Sequence, residues 1–270
     1  MRLTIVDVFA EARYQGNQLA VVEDAGALAP ETMQAIAREM NFSETTFVSA
    51  REGDRAHVRI FTPGEELPFA GHPTLGTAWV LTGGRGEVTL ALAAGDVPVR
   101  FKDGLGWLTP PPADEADPVP ARDAAAVLGL EPADLDPDFE PRIVRCGPVF
   151  PLIGVRDLDA LRRLRVDLDV QRRLGVAGFP FAFCRGGHSP DADFAARMQF
   201  FDGVGLREDP ATGSANAAFA AYLGRRGVRG RRVVEQGFEI GRPSRIHLEI
   251  GDTIAVGGRV QPVAEGRLHG

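Results

Sequence analysis

A seven-residue pattern occurs twice in this chain and contains residue types that could do acid–base chemistry. Residues 66–72 and residues 208–214 both read Glu-x-Pro-x-x-Gly followed by a polar residue. Each copy follows a run that is typical of a strand, residues 57–62 and 194–202, and precedes an apolar run that is typical of a helix. The repeat predicts two halves of similar design, each with a helix that begins at the pattern.

The last residue of each copy lies at the start of a predicted helix. His72 ends the first copy and Ser214 ends the second. A helix N-terminus offers unsatisfied N–H groups and a positive dipole end, which suit a carboxylate or a developing oxyanion. The preceding glycines, Gly71 and Gly213, allow a close backbone approach. The structural alternative is that Ser214 only caps its helix and that His72 is a surface histidine.

Two acidic residues are candidates for proton transfer. Glu44 lies in a predicted strand between Phe42 and Phe47, whereas the corresponding Phe179-Pro180-Phe181 segment of the second half has no carboxylate. If Glu44 is held in a pocket, it is suited to general acid–base catalysis; the alternative is a solvated strand face. Asp209 could orient the imidazole of His72 or could simply form an Asp-Pro turn.

The glutamates that open the two copies, Glu66 and Glu208, are matched by the repeat. This matching favours a structural task for both, such as bonding backbone N–H groups.

Other chemistries fit the sequence less well. A serine hydrolase using Ser214, His72 and Asp209 is possible, but the Gly-x-Ser-x-Gly elbow is missing. The five histidines show no HxH or HExxH spacing, so we expect no metal. Lys102 is the only lysine and lacks the context of a phosphate loop or a Schiff base. We therefore expect no cofactor, and a non-catalytic ligand-binding protein stays open as a further alternative.

Composition limits the partners and the compartment. The net charge of -7 argues against a nucleic-acid surface. No apolar run approaches the ~20 residues of a membrane span, and residues 1–15 lack the apolar core of a signal peptide. The two cysteines, Cys146 and Cys184, give no disulfide framework and are expected to be buried thiols. We expect a cytoplasmic protein that binds a small molecule and neither nucleic acid nor membrane.

The predicted fold class is α+β with two similar domains. The boundaries are 1–115 and 116–270, with the last strand able to return to the first domain, and residues 109–120 are a linker rich in Pro, Asp and Glu. The strands indicate mostly antiparallel sheets. The helices predicted at residues 73–81 and 214–223 are apolar around most of their circumference, so they should be buried inside the sheets. Both are expected to end at a glycine, Gly83 and Gly224.

Several segments of the sequence, in order from the first strand to the last quarter, resemble the PhzF-type phenazine-biosynthesis family. The matching segments are residues 7–9, 16–22, 37–48, 61–63, 67–76 and 208–215. The resemblance implies a fold similar to diaminopimelate epimerase: two pseudo-symmetric domains, each a barrel-like, mostly antiparallel sheet around a central helix. It also implies that the active site lies in the cleft between them.

The resemblance further implies cofactor-independent isomerisation by movement of a proton, as in the conversion of trans-2,3-dihydro-3-hydroxyanthranilate to a ketone. The family's proton-shuttling glutamate matches Glu44, and Ala70 and Thr212 stand where epimerases of this fold carry two cysteines, which excludes a two-thiol racemase. A homodimer is implied as well. The predicted catalytic residues are Glu44, His72, Asp209 and Ser214, and the predicted substrate contacts are Asn17, Gly71, Thr212 and Gly213.

Overall fold

A computed structural model describes residues 1–201 and 205–269 of the chain. Asp202, the last residue of one predicted strand, lies outside the described residues. The chain forms two compact units, which are described separately below. The first comprises Met1–Pro110 and the described residues from Ala255 onward, and the second comprises Pro111–Ile254.

Strands outnumber helices in the described part of the chain. The strands are β1 (Arg2–Val8), β2 (Asn17–Glu23), β3 (Glu44–Glu52), β4 (Arg55–Phe61), β5 (Glu66–Leu67), β6 (Gly86–Leu92), β7 (Gly95–Lys102), β8 (Leu105–Leu108), β9 (Asp114–Pro118), β10 (Arg142–Arg145), β11 (Val149–Gly154), β12 (Phe181–Arg185), β13 (Phe194–Phe201), β14 (Leu206–Glu208), β15 (Gly230–Gln236), β16 (Ser244–Ile250), β17 (Ile254–Gly258) and β18 (Val260–Arg267). The α-helices are α1 (Pro30–Met40), α2 (Gly71–Thr82), α3 (Ala121–Val127), α4 (Leu158–Arg163), α5 (Leu168–Leu174) and α6 (Gly213–Arg225).

The sheet of the first unit is mostly antiparallel and includes two parallel pairs. β2 pairs with β3 in parallel across α1, and β4 pairs with β6 in parallel across α2. The neighbouring pairs β1–β2, β3–β4, β6–β7 and β7–β8 are antiparallel. Two strands from late in the sequence also belong to this sheet: β18 pairs with β1, and β17 pairs with β8, both antiparallel. The unit is therefore built from segments that are distant in sequence.

Helix α2 is the centre of the first unit. It packs against β1, β2, β3, β6, β7, β8 and β18, and Leu75 and Ala78 are fully buried. A side chain at Gly76 would meet Leu19 Cδ2 at 2.6 Å and Val8 Cγ2 at 2.7 Å. Glycine at this position therefore lets the helix approach β1 and β2 closely. The predicted burial of this helix is confirmed.

The second unit repeats the strand pairing of the first. β10–β11 is antiparallel, β11–β12 is parallel, and β12–β13 is antiparallel. β13 then pairs with β15 in parallel across α6, and β15 pairs with β16 antiparallel. The duplication that was read from two short patterns thus extends to the order and direction of the strands.

Helix α6 is the buried helix of the second unit. Residues 213–223 are all buried. The ring of Phe219 lies 4.3 Å from that of Phe183 and 5.0 Å from that of Phe194, centroid to centroid. The hydroxyl of Tyr222 donates to the backbone oxygen of Glu140 at 2.9 Å, so the one polar group on this aromatic face has a partner.

The structure corrects three predicted boundaries. The two central helices begin at Gly71 and Gly213, before the predicted starts. α2 ends at Gly83 as predicted (φ 64°), but α6 continues through Gly224 to Arg225, and the left-handed position is Gly227 (φ 83°). Residues 109–120, predicted as a linker, contain β9, which pairs with β10.

No helix among the described residues is both long enough and apolar enough to cross a membrane.

The two glutamates that open the repeated pattern each bind an arginine. Glu66 on β5 accepts from Arg59 at 2.6 and 2.7 Å. Glu208 on β14 accepts from Arg197 at 2.6 and 3.0 Å. The predicted structural task is thus correct, but the suggested partners, backbone N–H groups, were wrong. A bidentate pair with a guanidinium instead ties each short strand to its neighbour.

The two arginine–glutamate pairs differ in how deeply they are buried. Arg59 and Glu66 have side-chain exposures of 32% and 36%, whereas Arg197 and Glu208 have 8% and 5%. Arg197 also donates to the carbonyls of Leu161 and Arg162. Two carboxylates compensate the charge of this buried guanidinium, Glu208 at 2.6 Å and Glu239 at 3.9 Å.

We expect Glu208→Gln to destabilise the protein by about 2 kcal/mol, because it removes the nearer counter-charge of a buried cation and leaves only Glu239, at 3.9 Å. The matched substitution Glu66→Gln breaks the exposed pair and should cost less than about 1 kcal/mol. Urea unfolding of the two variants against the wild type measures both values. Equal losses of stability in the two variants would contradict the larger contribution expected from the buried Arg197–Glu208 pair.

Candidate active site

His72 is the second residue of α2 and is buried against the sheet of the first unit, with 4% of its surface exposed. The helix begins here because Ala70 has an extended backbone (φ -149°, ψ 141°) and the helical conformation starts at Gly71. His72 is therefore not the surface histidine of the structural alternative. Its imidazole has a fixed environment on both of its nitrogens.

Glu44 lies on one side of this imidazole. Its Oε2 is 3.4 Å from Nε2 of His72, and its side chain is 15% exposed. Glu44 is the first residue of β3 and lies opposite Leu19 in the parallel pair with β2. The starts of β3 and α2 thus bring together residues that are 28 positions apart in the sequence. The solvated-strand alternative for Glu44 does not hold.

Asn17 lies on the other side of the imidazole. Its Nδ2 is 3.3 Å from Nδ1 of His72, and the residue is 1% exposed. When Nδ1 accepts from this amide, the ring proton is on Nε2, the nitrogen that faces Glu44. Asn17 is the first residue of β2, and Asp7 braces the preceding loop by accepting the backbone N–H of Tyr14 at 2.6 Å. Asn17 thus holds the imidazole in place from the side opposite Glu44.

His72 is neutral at physiological pH. Burial lowers its pKa from 6.5 to about 3, and a hydrogen bond with the backbone of Gln18 opposes this shift only in part. The contact with Glu44 is therefore that of a neutral imidazole beside a carboxyl group and not an ion pair. When its ring proton is on Nε2, a neutral His72 can donate a hydrogen bond towards Glu44 without forming an ion pair with it.

The second unit holds the other predicted residues at the start of α6. Asp209 is 7% exposed, and its Oδ2 accepts from the hydroxyl of Thr212 at 2.6 Å. Ser214 is 7% exposed and is the second residue of α6, so it is not the N-cap. Thr212 holds the N-cap position, and it uses its hydroxyl on Asp209 and not on the helix.

Neither central helix has a side-chain cap among the described residues. Ala70 at the start of α2 has no polar side chain, and Thr212 at the start of α6 makes no capping hydrogen bond. Helices of this length normally satisfy their first N–H groups with a cap or a bound group. Both starts are therefore suited to bind an anion or a developing negative charge.

The predicted residues fall into two local groups. Asn17, Glu44, Gly71 and His72 gather within the first unit, and Asp209, Thr212, Gly213 and Ser214 gather within the second. Within the second unit, Oδ2 of Asp209 accepts from Thr212, and this contact does not favour the serine-hydrolase alternative. Among the described residues, no three His, Cys, Asp or Glu side chains form a cluster that could hold a metal ion.

Sequence reasoning missed two buried amides near Asp209. Gln236, at the end of β15, donates to the backbone oxygen of Asp209 at 2.9 Å, and Asn216 of α6 donates to the backbone oxygen of Thr212 at 3.0 Å. Gln236 lies outside both copies of the repeated pattern, and only a strand followed by Gly237 marks its position in sequence.

The cysteines play no part in either group. Burial raises the pKa of the Cys146 thiol to about 11 and that of Cys184 to about 12. Both are buried free thiols, as predicted, and both are far from the reactive thiolate form at neutral pH.

The low pKa of His72 should make the folded state acid-sensitive. At pH 5 the unfolded chain protonates this histidine and the folded protein does not, so stability falls as the pH drops below 6.5. We expect His72 to account for about 2 kcal/mol of the stability lost between pH 7 and pH 5. Urea unfolding should show that loss reduced by this amount in His72→Gln.

Between pH 7 and pH 8 the stability of the wild type and that of His72→Gln should change with pH in the same way, because His72 is neutral in the folded and unfolded states there. An equal loss of stability between pH 7 and pH 5 in the two proteins would contradict the burial of an uncharged imidazole.

Comparison with known proteins gives consistent relatives. Residues 6–266 match the PhzC-PhzF family model, described as phenazine biosynthesis-like protein. The chain is 36% identical to a trans-2,3-dihydro-3-hydroxyanthranilate isomerase of Pseudomonas aeruginosa, over 99% of both chains. It is also 36% identical to an uncharacterised isomerase of Mesorhizobium japonicum, over 98% of this chain and 97% of the relative.

Structural similarity extends over the same length. A solved structure described as a predicted epimerase from Pseudomonas aeruginosa matches with a TM-score of 0.84 and 36% identity, covering 99% of this chain and 98% of that one. The mixed, sheet-dominated architecture with few helices is thus confirmed as the fold class. The chain belongs to the PhzC-PhzF family of phenazine biosynthesis-like proteins and is an enzyme of the isomerase class.

Proposed function

We propose that this protein is a cofactor-independent isomerase that moves a proton within a small carboxylate-bearing substrate, with Glu44 as the proton carrier. The observation that carries the proposal is the contact of Glu44 with the neutral, buried His72 at 3.4 Å. A carboxyl group that is mostly shielded from water and held beside a neutral N–H donor is arranged for general acid–base catalysis.

The proposed reaction uses Glu44 twice. Its carboxylate removes a proton from one carbon of the substrate, which leaves a delocalised carbanion, and Glu44 becomes a carboxylic acid. Glu44 then delivers a proton, either the one it removed or one exchanged with solvent, to a different carbon, the double bond moves, and the carboxylate is restored. The enzyme ends each cycle in its starting state, so no external acid, base or redox partner is needed.

His72 assists this transfer as a hydrogen-bond donor. Its Nε2 faces Glu44, and this nitrogen carries the ring proton when Nδ1 accepts from Asn17. A neutral imidazole holds the carboxylate in place without pairing with it as a cation, so the carboxylate keeps its basicity. A charged histidine at the same position would stabilise the ionised carboxylate and weaken it as a base.

The start of α6 is proposed to bind the negatively charged part of the substrate. The backbone N–H groups of Gly213 and Ser214 lie in the first turn of a 13-residue helix that has no side-chain cap. Such a turn binds carboxylates through its N–H groups and the positive end of the helix dipole. Asp209 is proposed to hold or protonate the substrate.

The named relatives support a substrate for the first assays. The relative from Pseudomonas aeruginosa is a trans-2,3-dihydro-3-hydroxyanthranilate isomerase, so we propose that this compound, or a small acid like it, is the substrate of this chain. The family resemblance also supports a homodimer. Sedimentation of the purified protein should then show a single species of twice the mass of one chain.

We expect Glu44→Gln to lower turnover at least ~100-fold, because the amide cannot accept the proton. Incorporation of solvent deuterium into the product should fall in parallel. The matched control is Glu52→Gln, which changes an exposed glutamate at the other end of β3. The control should retain wild-type turnover.

The measurement is turnover of trans-2,3-dihydro-3-hydroxyanthranilate in D2O, with product deuterium read by mass spectrometry. If the Glu44 variant keeps turnover and exchange close to the wild type, Glu44 is not the proton carrier and the proposed mechanism fails.

A further inference from the structure

A buried hydrogen-bond network in the second unit connects Gln236 to the carboxylate of Asp209. Gln236 is 1% exposed and Asn216 is fully buried. Gln236 ends β15, whereas Asp209 and Thr212 precede α6. The network therefore joins a strand end to the segment that leads into the central helix.

Backbone partners fix the orientation of the Gln236 amide. Its Oε1 accepts the backbone N–H of Thr212 at 3.2 Å, and its Nε2 donates to the backbone oxygen of Asp209 at 2.9 Å. Reversal of the amide would place oxygen against oxygen and N–H against N–H. A backbone N–H can only donate and a backbone oxygen can only accept, so only one orientation satisfies both contacts.

The orientation of this amide determines the direction of the Thr212 hydroxyl. Nε2 of Gln236 also lies 2.9 Å from Thr212 Oγ1, and since that nitrogen is a donor, the threonine oxygen must accept. The single hydroxyl proton of Thr212 is then left to point at Oδ2 of Asp209, 2.6 Å away. The order of donation is Gln236 to Thr212 to Asp209.

We propose that Gln236 is a positioning residue for Asp209, because it fixes the Thr212 hydroxyl as a hydrogen-bond donor to the Asp209 carboxylate. A donor held against a carboxylate favours its ionised form and fixes the direction of its oxygens. The relevance of this arrangement to the reaction rests on the proposed role of Asp209. The network itself stands on the geometry of the second unit alone.

The same loop has a second anchor that offers a matched control. Ser244 donates through Oγ to the backbone oxygen of Pro210 at 2.9 Å. This bond holds the backbone beside Asp209 without entering the donor chain to its carboxylate. Ser244→Ala therefore loosens the loop and leaves the direction of the Thr212 hydroxyl unchanged.

The experiment is a pH titration of carboxyl carbons by ¹³C NMR in protein labelled at aspartate, with Asp209→Asn to assign the signal. We expect the Asp209 midpoint to rise by about one pH unit in Thr212→Val and in Gln236→Met, since each removes the fixed donor. Thr212→Ser and Ser244→Ala should keep the wild-type midpoint. The double variant Thr212→Val/Gln236→Met should match Thr212→Val alone, because both changes act through one hydroxyl.

Unmoved midpoints in Thr212→Val or Gln236→Met would overturn the proposal, and so would an equal shift in Ser244→Ala. Gln236→Met leaves buried polar groups without partners and could fail to fold. Neutron diffraction of the wild-type protein then decides the question. Deuterium on Thr212 Oγ1 directed at Asp209 supports the proposal, and deuterium directed at Gln236 overturns it.

These readouts need no turnover, so they separate this proposal from the proposed function. An active Glu44→Gln variant would end the proposed mechanism and leave the titration result intact.

Discussion

Each unit of this protein depends on the burial of one helix around its whole circumference. α2 and α6 have apolar or small side chains on every face, so neither can lie on a surface, and strands must pass around them. A helix enclosed in this way still has a polar end, because its first N–H groups find no partner within the helix. The fold therefore produces a shielded polar point at each helix start, and the candidate functional residues are found there.

The two units share this scaffold and differ in the chemistry placed on it. The Arg59–Glu66 and Arg197–Glu208 pairs are equivalent in position, and both tie a short strand to the sheet. At the helix starts the equivalence ends, since one unit places a neutral imidazole beside a carboxyl group and the other directs the hydroxyl of Thr212, held by Gln236, at a carboxylate. Duplication accounts for the framework, and the later divergence of a few polar residues accounts for the different groups.

The sequence predicted the framework better than the contacts. The apolar spacing and the flanking glycines located α2 and α6, because both signals reflect local constraints. The end of α6 was misplaced because Gly224 is a residue within the helix and does not end it. A Cβ atom at this position would lie 3.2 Å from Cγ2 of Ile250, so glycine here permits close packing. No spacing rule could bring Glu44 to His72, since their contact depends on the packing of α2 against β3.

Gln236 illustrates the same limit within the second unit. Its amide matters only because β15 ends beside the loop that precedes α6, and Gly237, with φ 77°, lets the backbone pass close to Pro210. Hydrogen bonds between residues that lie more than twenty positions apart leave no local pattern in the sequence. The arginine partners of Glu66 and Glu208 were missed for a similar reason, because alternation along a strand indicates a face but not a partner.

The pairing of β18 with β1 has a consequence for the order in which the protein can form on the ribosome. β1 is among the first strands to be synthesised, and its partner follows only after the whole of the second unit has been made. The second unit is contiguous, so its strands are all available earlier. The first unit must therefore wait with an open sheet edge, a state that is prone to misassembly, until β18 pairs with β1.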